Sequence, residues 1–170
     1  MATTIFDFPA NALVPLPNDE PASGDVPASY DDLVGRPCLR FDDTAEEAIA
    51  TPEMAFPQGV TGTLTAKIHF FTISDNTNDV VFNVYVEAKT PDSDTLDMET
   101  ADSWDTVNTV TKSVSGTTAG DPVVASVTLT NKDSVAAGDS VRFCLRRDAA
   151  NASDDISGDV CVTAIEIQES

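Results

Sequence analysis

Apolar and polar side chains alternate along the chain from residue 38 onward, in short runs that turn-forming residues separate. Alternation with a period of two is typical of β-strands that bury one face against a core. In the run 63–73, for example, Leu64, Ile68 and Phe70 share one face while Lys67 points to the other. The pattern predicts eight strands, at residues 38–42, 45–51, 63–73, 79–89, 106–115, 123–130, 140–147 and 159–168.

Some of these runs carry further detail. The turn-rich sequence SDNTND connects the runs 63–73 and 79–89, which we therefore expect to pair as a hairpin. The first two runs are weaker and predict edge strands. In the last run the alternation slips near Ala164, which predicts a β-bulge.

The number and spacing of the strands predict the fold class. Eight strands in about 130 residues, with no long amphipathic helix between them, favour an all-β, two-sheet antiparallel β-sandwich of the jelly-roll type. An immunoglobulin-like sandwich is the alternative, but the usual cysteine and tryptophan spacing of that fold is absent. We expect a jelly-roll domain at residues 38–170.

Residues 1–37 differ from the rest, because they hold six of the ten prolines. Proline at this density favours an extended path, so the segment is predicted to be an extended N-terminal arm. Its apolar side chains need a surface to dock on, either along the same domain or, as the favoured reading, on a neighbouring subunit or partner. The candidate partner-binding residues of the arm are Ile5, Phe6, Phe8, Leu13, Val14 and Leu16.

The charge balance excludes several kinds of partner. With 29 acidic and 9 basic residues, the net charge of -20 repels nucleic acid and anionic lipid. No stretch is apolar over 18 residues, and the N-terminus lacks the basic and apolar regions of a secretory signal, so neither a membrane protein nor a secreted precursor is expected. The three cysteines have no metal-binding or disulfide-framework spacing and are expected to be reduced thiols.

Acidic residues are concentrated in two places. Six carboxylates at residues 92–105 are oxygen ligands of the kind that calcium takes, but their spacing departs from an EF-hand loop, so a solvated loop is favoured over calcium binding. A second acidic group follows Arg146 and Arg147 and predicts a local cluster of exposed ion pairs. No cofactor and no metal ligand is predicted.

Catalysis is not expected. His69 is the only histidine, and a lone histidine on a strand is more often structural than a general base. Cys144 or Cys161 as a nucleophile would need that histidine nearby and an electropositive setting, which a chain of this charge does not favour. The sequence predicts a protein that is not an enzyme.

Aromatic residues suggest binding surfaces. Trp104, Tyr85 and Tyr30 are candidates for a platform on which sugar rings stack, although packing in the core or against another subunit is the favoured reading for each. Phe71 lies on the face opposite Phe70, so one strand end is apolar on both sides. Phe71 and Tyr85 are therefore candidates for a subunit interface.

Several short motifs within residues 36–168 resemble small β-sandwich structural proteins of the head-decoration type in tailed bacteriophages. The motifs are Phe41–Asp43, Gly138-Asp139, Arg146-Arg147-Asp148 and Gly158-Asp159. The resemblance implies a virion component, often a homotrimer, that sits on the head surface or elsewhere in the particle and is assembled in the host cytoplasm. We therefore expect a capsid decoration subunit that binds the major capsid protein. The alternative is a carbohydrate-binding or receptor-binding β-sandwich module of a phage fibre or tail.

Overall fold

The structure is a computed structural model that describes residues 2–18, 20–74 and 77–170. Strands dominate this part of the chain, and its one helical element is a short 3-10 turn, Ala10–Ala12. None of the helical structure described there has the length and apolar character that crossing a membrane requires. In chain order the strands are β1 Thr3–Pro9, β2 Val14–Pro15, β3 Val26–Pro27, β4 Ser29–Leu33, β5 Arg36–Phe41, β6 Glu47–Ala50, β7 Met54–Ala55, β8 Leu64–Thr72, β9 Asp79–Lys89, β10 Asn108–Ser113, β11 Val123–Thr128, β12 Ser140–Arg147 and β13 Val160–Glu169.

The strands form two sheets that pack face to face. One sheet has the order β11-β8-β13-β5-β4, with β1 also pairing with β13; the other has the order β10-β9-β12-β6-β2, with β3 beside β6 and β7 beside β12. All pairs are antiparallel except β3 with β6. The eight strands predicted from the sequence are divided equally between the sheets, as β5, β13, β8 and β11 in one and β6, β12, β9 and β10 in the other, which is the order of a jelly roll, so the predicted fold class is confirmed.

The predicted hairpin of residues 63–73 and 79–89 is wrong. The two runs are β8 and β9, which lie in opposite sheets and meet through side chains across the core. The rings of Phe70 and Phe82 pack edge to face with centroids 5.2 Å apart. The connecting sequence SDNTND includes Asp75 and Asn76, so its predicted turn lies partly outside the described residues.

The N-terminal segment is built into both sheets. It supplies β1 and β4 to the six-stranded sheet and β2 and β3 to the seven-stranded sheet, and the predicted boundary at residue 37 falls inside β5. Because these strands lie outside β5 and β6, the two weakest predicted strands are not sheet edges, which corrects that expectation. The predicted bulge near Ala164 is confirmed by a register shift between Val162 and Ala164.

Most apolar side chains of the N-terminal segment are buried by the chain itself. Phe6, Phe8 and Leu13 belong to the main core between the sheets, and Ile5 packs against it. Leu16 belongs to a second, smaller apolar cluster, described below, and of the six candidate partner-binding residues only Val14 is exposed. The expectation that these side chains dock on a partner is therefore corrected for the buried ones, because the sandwich already covers them.

Arg147 is fully buried, which corrects the expectation of exposed ion pairs after β12. Its guanidinium forms an ion pair with Asp154 at 2.8 Å and donates to backbone carbonyls that include those of Asp42 at 3.1 Å and Gly158 at 3.0 Å. These hydrogen bonds hold the chain after β5 against the chain before β13. A buried arginine is tolerated here because carboxylate and carbonyl oxygens surround it.

Candidate functional site

A groove crosses the outer face of the seven-stranded sheet. It lies over β6, β9 and β12, between the N-terminal segment at Val14–Leu16 and the acidic loop that follows β9. It consists of two adjoining cavities of about 260 Å³ each, which share residues of both walls. The shared residues are Leu16, Met98, Ala101 and Arg142. We call this feature the outer groove.

The floor of the outer groove carries a fixed cluster of charged side chains. Glu87 on β9 lies directly opposite Arg142 on β12, and the two form an ion pair. The same carboxylate lies 3.6 Å from Lys89 Nζ and accepts a hydrogen bond from the Ser103 backbone N–H at 2.5 Å. The Glu87 side chain is only 3% exposed, whereas that of Arg142 is 28% exposed. The arginine is therefore the member of the cluster that a ligand can reach.

Trp104 and Tyr85 come together beneath the N-terminal segment. Both pack against the second apolar cluster, which consists of Leu16, Ala48, Ala50 and Cys144. The Arg142 guanidinium lies 4.4 Å from the centre of the Trp104 ring, in the geometry of a cation–π contact. The indole N–H is buried.

For Trp104 and Tyr85 these contacts support packing, the interpretation favoured from the sequence, over a sugar-stacking platform. Arg142 covers one face of the Trp104 ring, and the N-terminal segment covers the cluster on which Tyr85 packs. Tyr30 is 55% exposed but lies on β4 of the other sheet, where its hydroxyl donates to the Leu13 carbonyl. The three aromatic residues therefore do not form one platform.

A carboxyl pair joins the two walls of the outer groove at one end. A hydrogen bond with Asp102 of the acidic loop and, in second place, burial raise the pKa of Glu20 to about 7. Both residues line the groove. The N-terminal segment and the acidic loop thus meet at this pair of carboxyl groups.

Phe71 and Tyr85 lie on different sheets and do not form one interface patch. Phe71 is half-buried on β8 and lines a separate cavity of about 540 Å³ on the six-stranded sheet. Tyr85 is on β9, in the seven-stranded sheet. Whether either residue contacts another subunit stays a prediction.

The acidic loop does not gather its carboxylates around a common point. Asp94 accepts a hydrogen bond from the Thr90 N–H, and Asp97 accepts hydrogen bonds from the backbone and hydroxyl groups that follow it. In the described part of the chain, the one group of three potential ligands within 4.8 Å is elsewhere, at Asp42, Asp43 and Asp159. All three already have partners, since Asp42 accepts from the Thr44 N–H, Asp43 accepts from the Gly158 N–H and Asp159 pairs with Arg40.

The residues considered for catalysis do not assemble as a nucleophile and base. The His69 imidazole faces the Glu166 carboxylate at 3.6 Å on the six-stranded sheet. All three cysteines are free and buried, and burial raises the pKa values of Cys144 and Cys161. Buried thiols with raised pKa values are poor nucleophiles.

The sequence indicated the outward direction of Glu87 but not the groove. The alternation in 79–89 puts Glu87 opposite the inward valines. Its pairing with Arg142 depends on the register between β9 and β12, which no local pattern specifies. The walls of the groove come from irregular segments, whose paths the alternation does not predict.

Comparisons with known proteins bear on the fold. No protein-family model matches the chain, and no curated protein matches it. Among solved structures, a carbohydrate-binding module described as recognising mannan, TmCBM27, aligns with a TM-score of 0.50 and 8% identity over 100% of this chain and 99% of that one.

Two further structures align less well. The K3 adhesin domain of Lys-gingipain from Porphyromonas gingivalis gives a TM-score of 0.47 and 12% identity over 99% of this chain and 100% of that one. A carbohydrate-binding module described as specific for non-crystalline cellulose gives a TM-score of 0.46 and 7% identity over 94% of this chain and 88% of that one. At 8% identity, the alignment with TmCBM27 shows a shared β-sandwich fold and nothing finer.

Proposed function

We propose that this chain is a non-catalytic β-sandwich module that binds an uncharged glycan in the outer groove. The observation that carries the proposal is the cluster of Glu87, Lys89 and Arg142 on the groove floor. The cluster presents fixed polar atoms from two cations and one carboxylate, and the carboxylates of Glu53 and Glu99 line the groove around it. The similarity to carbohydrate-binding β-sandwich modules supports the fold that this function needs.

The polar residues of the groove match the hydroxyl groups of a sugar. A hydroxyl both donates and accepts hydrogen bonds, so its site needs both kinds of partner. Arg142 supplies N–H donors, and the carboxylate of Glu53, which lines the same cavity, supplies acceptors. Since Glu87 and Trp104 hold the Arg142 side chain in place, little conformational entropy is lost when it binds.

The apolar residues of the groove match the C–H faces of a sugar ring. Leu96 and Met98 of the loop face Val14 and Leu16 of the N-terminal segment across the cavity. Val14 is 54% exposed, which leaves its side chain available to a ligand. The site thus contacts ring faces with aliphatic side chains instead of an aromatic platform.

The charge around the groove favours neutral ligands. Glu53, Glu99 and Asp102 line it, in a chain whose net charge is -20. Uronic acids and sulfated sugars would meet repulsion at these carboxylates. We therefore expect neutral polysaccharides or glycans as ligands.

The proposal is tested by screening the protein on an array of neutral and acidic glycans and titrating the best glycan calorimetrically. Replacing Arg142 with methionine should weaken binding by about tenfold or more, because the accessible donors are lost. Lys112→Gln, which removes one positive charge on β10 away from the groove lining, is the matched control and should leave affinity unchanged.

Two results would contradict the proposal. One is binding of no glycan by a protein that circular dichroism shows to be folded. The other is equal affinity of the wild type and Arg142→Met for the same glycan. Thermal unfolding of each variant separates loss of binding from loss of structure.

The capsid-decoration function expected from the sequence stays a prediction with less support. It came from the family resemblance and from apolar side chains of the N-terminal segment that would grip another surface, and most of these side chains are buried in the chain's own cores. Measuring the stability of purified phage particles with and without the protein distinguishes this function from glycan binding.

A further inference from the structure

A second cavity, unrelated to the outer groove, lies on the outer face of the six-stranded sheet. It has a volume of about 540 Å³ and is walled by the β4–β5 hairpin on one side and the start of β11 on the other. The floor is Phe71 of β8, and Leu33 and Val124 form apolar walls. Cavities of roughly 300–1,000 Å³ with mainly apolar walls are the usual size and character of small-molecule sites.

Charge around this cavity is unlike that of the rest of the molecule. None of the residues that line it in the described part of the chain is acidic, although the whole chain has 29 acidic residues. Arg36 lies at its edge, on an exposed position of β5. His69 also lines the cavity. Its imidazole lies 3.6 Å from the Glu166 carboxylate, so this polar side chain already has a partner.

Arg36 is also unlike the other arginines. Arg40, Arg142, Arg146 and Arg147 each form at least one ion pair with a carboxylate. Arg36 forms none with any residue that the structure describes. An unpaired guanidinium beside an apolar cavity is a ready site for a planar anion, which it binds through two parallel hydrogen bonds.

The turn beside Arg36 carries an unfavourable residue. Val34 is 99% exposed and has a φ of 58°, in the left-handed region that branched side chains avoid. With Gly35 at a φ of 74°, it forms the two-residue connection between β4 and β5, where asparagine or aspartate is normally preferred. A strained and exposed valine at the rim of a cavity indicates that its apolar side chain is used there.

We propose that this cavity binds a small molecule with an aromatic or branched apolar body and a carboxylate group. The body packs on Phe71 and Val124 and beneath Val34, and the carboxylate pairs with Arg36. A second copy of the chain is a poorer occupant, because two molecules of charge -20 repel each other. The site is on the opposite sheet from the outer groove, so the two proposals stand or fall separately.

Two probes that differ in charge test the proposal. 2-Naphthoate and its neutral amide, 2-naphthamide, are titrated into the full chain labelled with nitrogen-15, and the backbone amide resonances are followed by NMR. Naphthoate should shift the amides of Phe71, Val124 and Thr163 in a saturable way and bind about tenfold or more tightly than naphthamide. Arg36→Gln should reduce naphthoate affinity to that of naphthamide, whereas Lys112→Gln, with the same change of charge elsewhere, should have no effect.

Val34→Asn separates binding from folding. Asparagine suits a positive φ better than valine, so the melting temperature should not fall, but loss of the apolar rim should weaken naphthoate binding by about threefold or more. Unchanged affinity in Arg36→Gln, equal affinity for the two probes, or no saturable shift at Phe71 would each overturn the proposal. It would also be overturned if the same amides shifted with protein concentration alone, since a second copy would then occupy the cavity.

Discussion

Truncation of Phe6 to alanine tests whether the N-terminal segment belongs to the fold of its own chain. The ring is 9% exposed and packs on three other rings, with centroid distances of 5.7 Å to Phe8, 6.4 Å to Phe56 and 6.2 Å to Phe143. Two of these partners, Phe56 and Phe143, come from distant parts of the sequence. Loss of the ring therefore leaves a space in the main core and not at a flexible end.

The expected cost follows from the burial of the ring. Replacing a buried phenylalanine with alanine costs about 3–5 kcal/mol in free energy of unfolding. Phe6 lies on β1 and keeps slight exposure, so the lower end, about 3 kcal/mol, applies. At about 2–4 °C per kcal/mol for a chain of this size, the melting temperature should fall by about 6–12 °C.

The measurement is thermal and urea unfolding, followed by circular dichroism at two protein concentrations at least tenfold apart. Val14→Ala is the control, because Val14 is 54% exposed and its truncation should change stability by less than about 0.5 kcal/mol. A melting temperature for Phe6→Ala within about 2 °C of the wild type would refute the reasoning. So would a loss of stability that disappears at high concentration, since Phe6 would then be covered by another molecule.

Three further predictions concern buried polar groups. Arg147→Ala should lower the free energy of unfolding, measured in urea, by about 3–5 kcal/mol, because the Asp154 carboxylate, which is 1% exposed, loses its partner. A loss below about 1 kcal/mol would contradict this. Burial raises the pKa of Glu47 to about 7, so the folded state keeps a proton that the unfolded state releases near 4.5, and stability should fall as the pH rises from about 4.5 to 7. Urea titrations across that pH range should show that the free energy of unfolding falls less steeply with pH in Glu47→Gln than in the wild type. Equal slopes in the two proteins would rule out this contribution of Glu47. The buried thiols should react with Ellman's reagent only at the rate of unfolding, so rapid labelling of the native protein would contradict the burial of Cys38, Cys144 and Cys161.

Strand positions were predictable because alternation records which face of each strand is buried. The runs 79–89 and 140–147 match β9 and β12 residue for residue. The irregularity at Ala164 was visible for the same reason, since a bulge breaks the alternation. The predicted jelly roll also followed from the number and spacing of the strands.

Alternation shows which face of a strand is buried, but it does not show which other strand pairs with it through backbone hydrogen bonds. Consecutive strands such as β8 and β9 were expected to share backbone hydrogen bonds, but they face each other across the core at Phe70 and Phe82. Proline density similarly indicated an extended N-terminal segment without indicating its partner. A strand such as β1 is equally extended whether it pairs with β13 of its own chain or with another molecule.

The sequence alone therefore determined the class of fold, the eight strands of the jelly roll and the strongly acidic character of the protein, because each of these depends on local pattern or composition. The tertiary structure decided that the N-terminal segment completes its own sandwich, that Glu87 lies beside Arg142, and that Arg36 borders a cavity with Phe71. These arrangements depend on register and on packing between residues far apart in the chain. A shift of one residue in register would turn every side chain of a strand to the opposite face, so local pattern cannot specify the surfaces that bind.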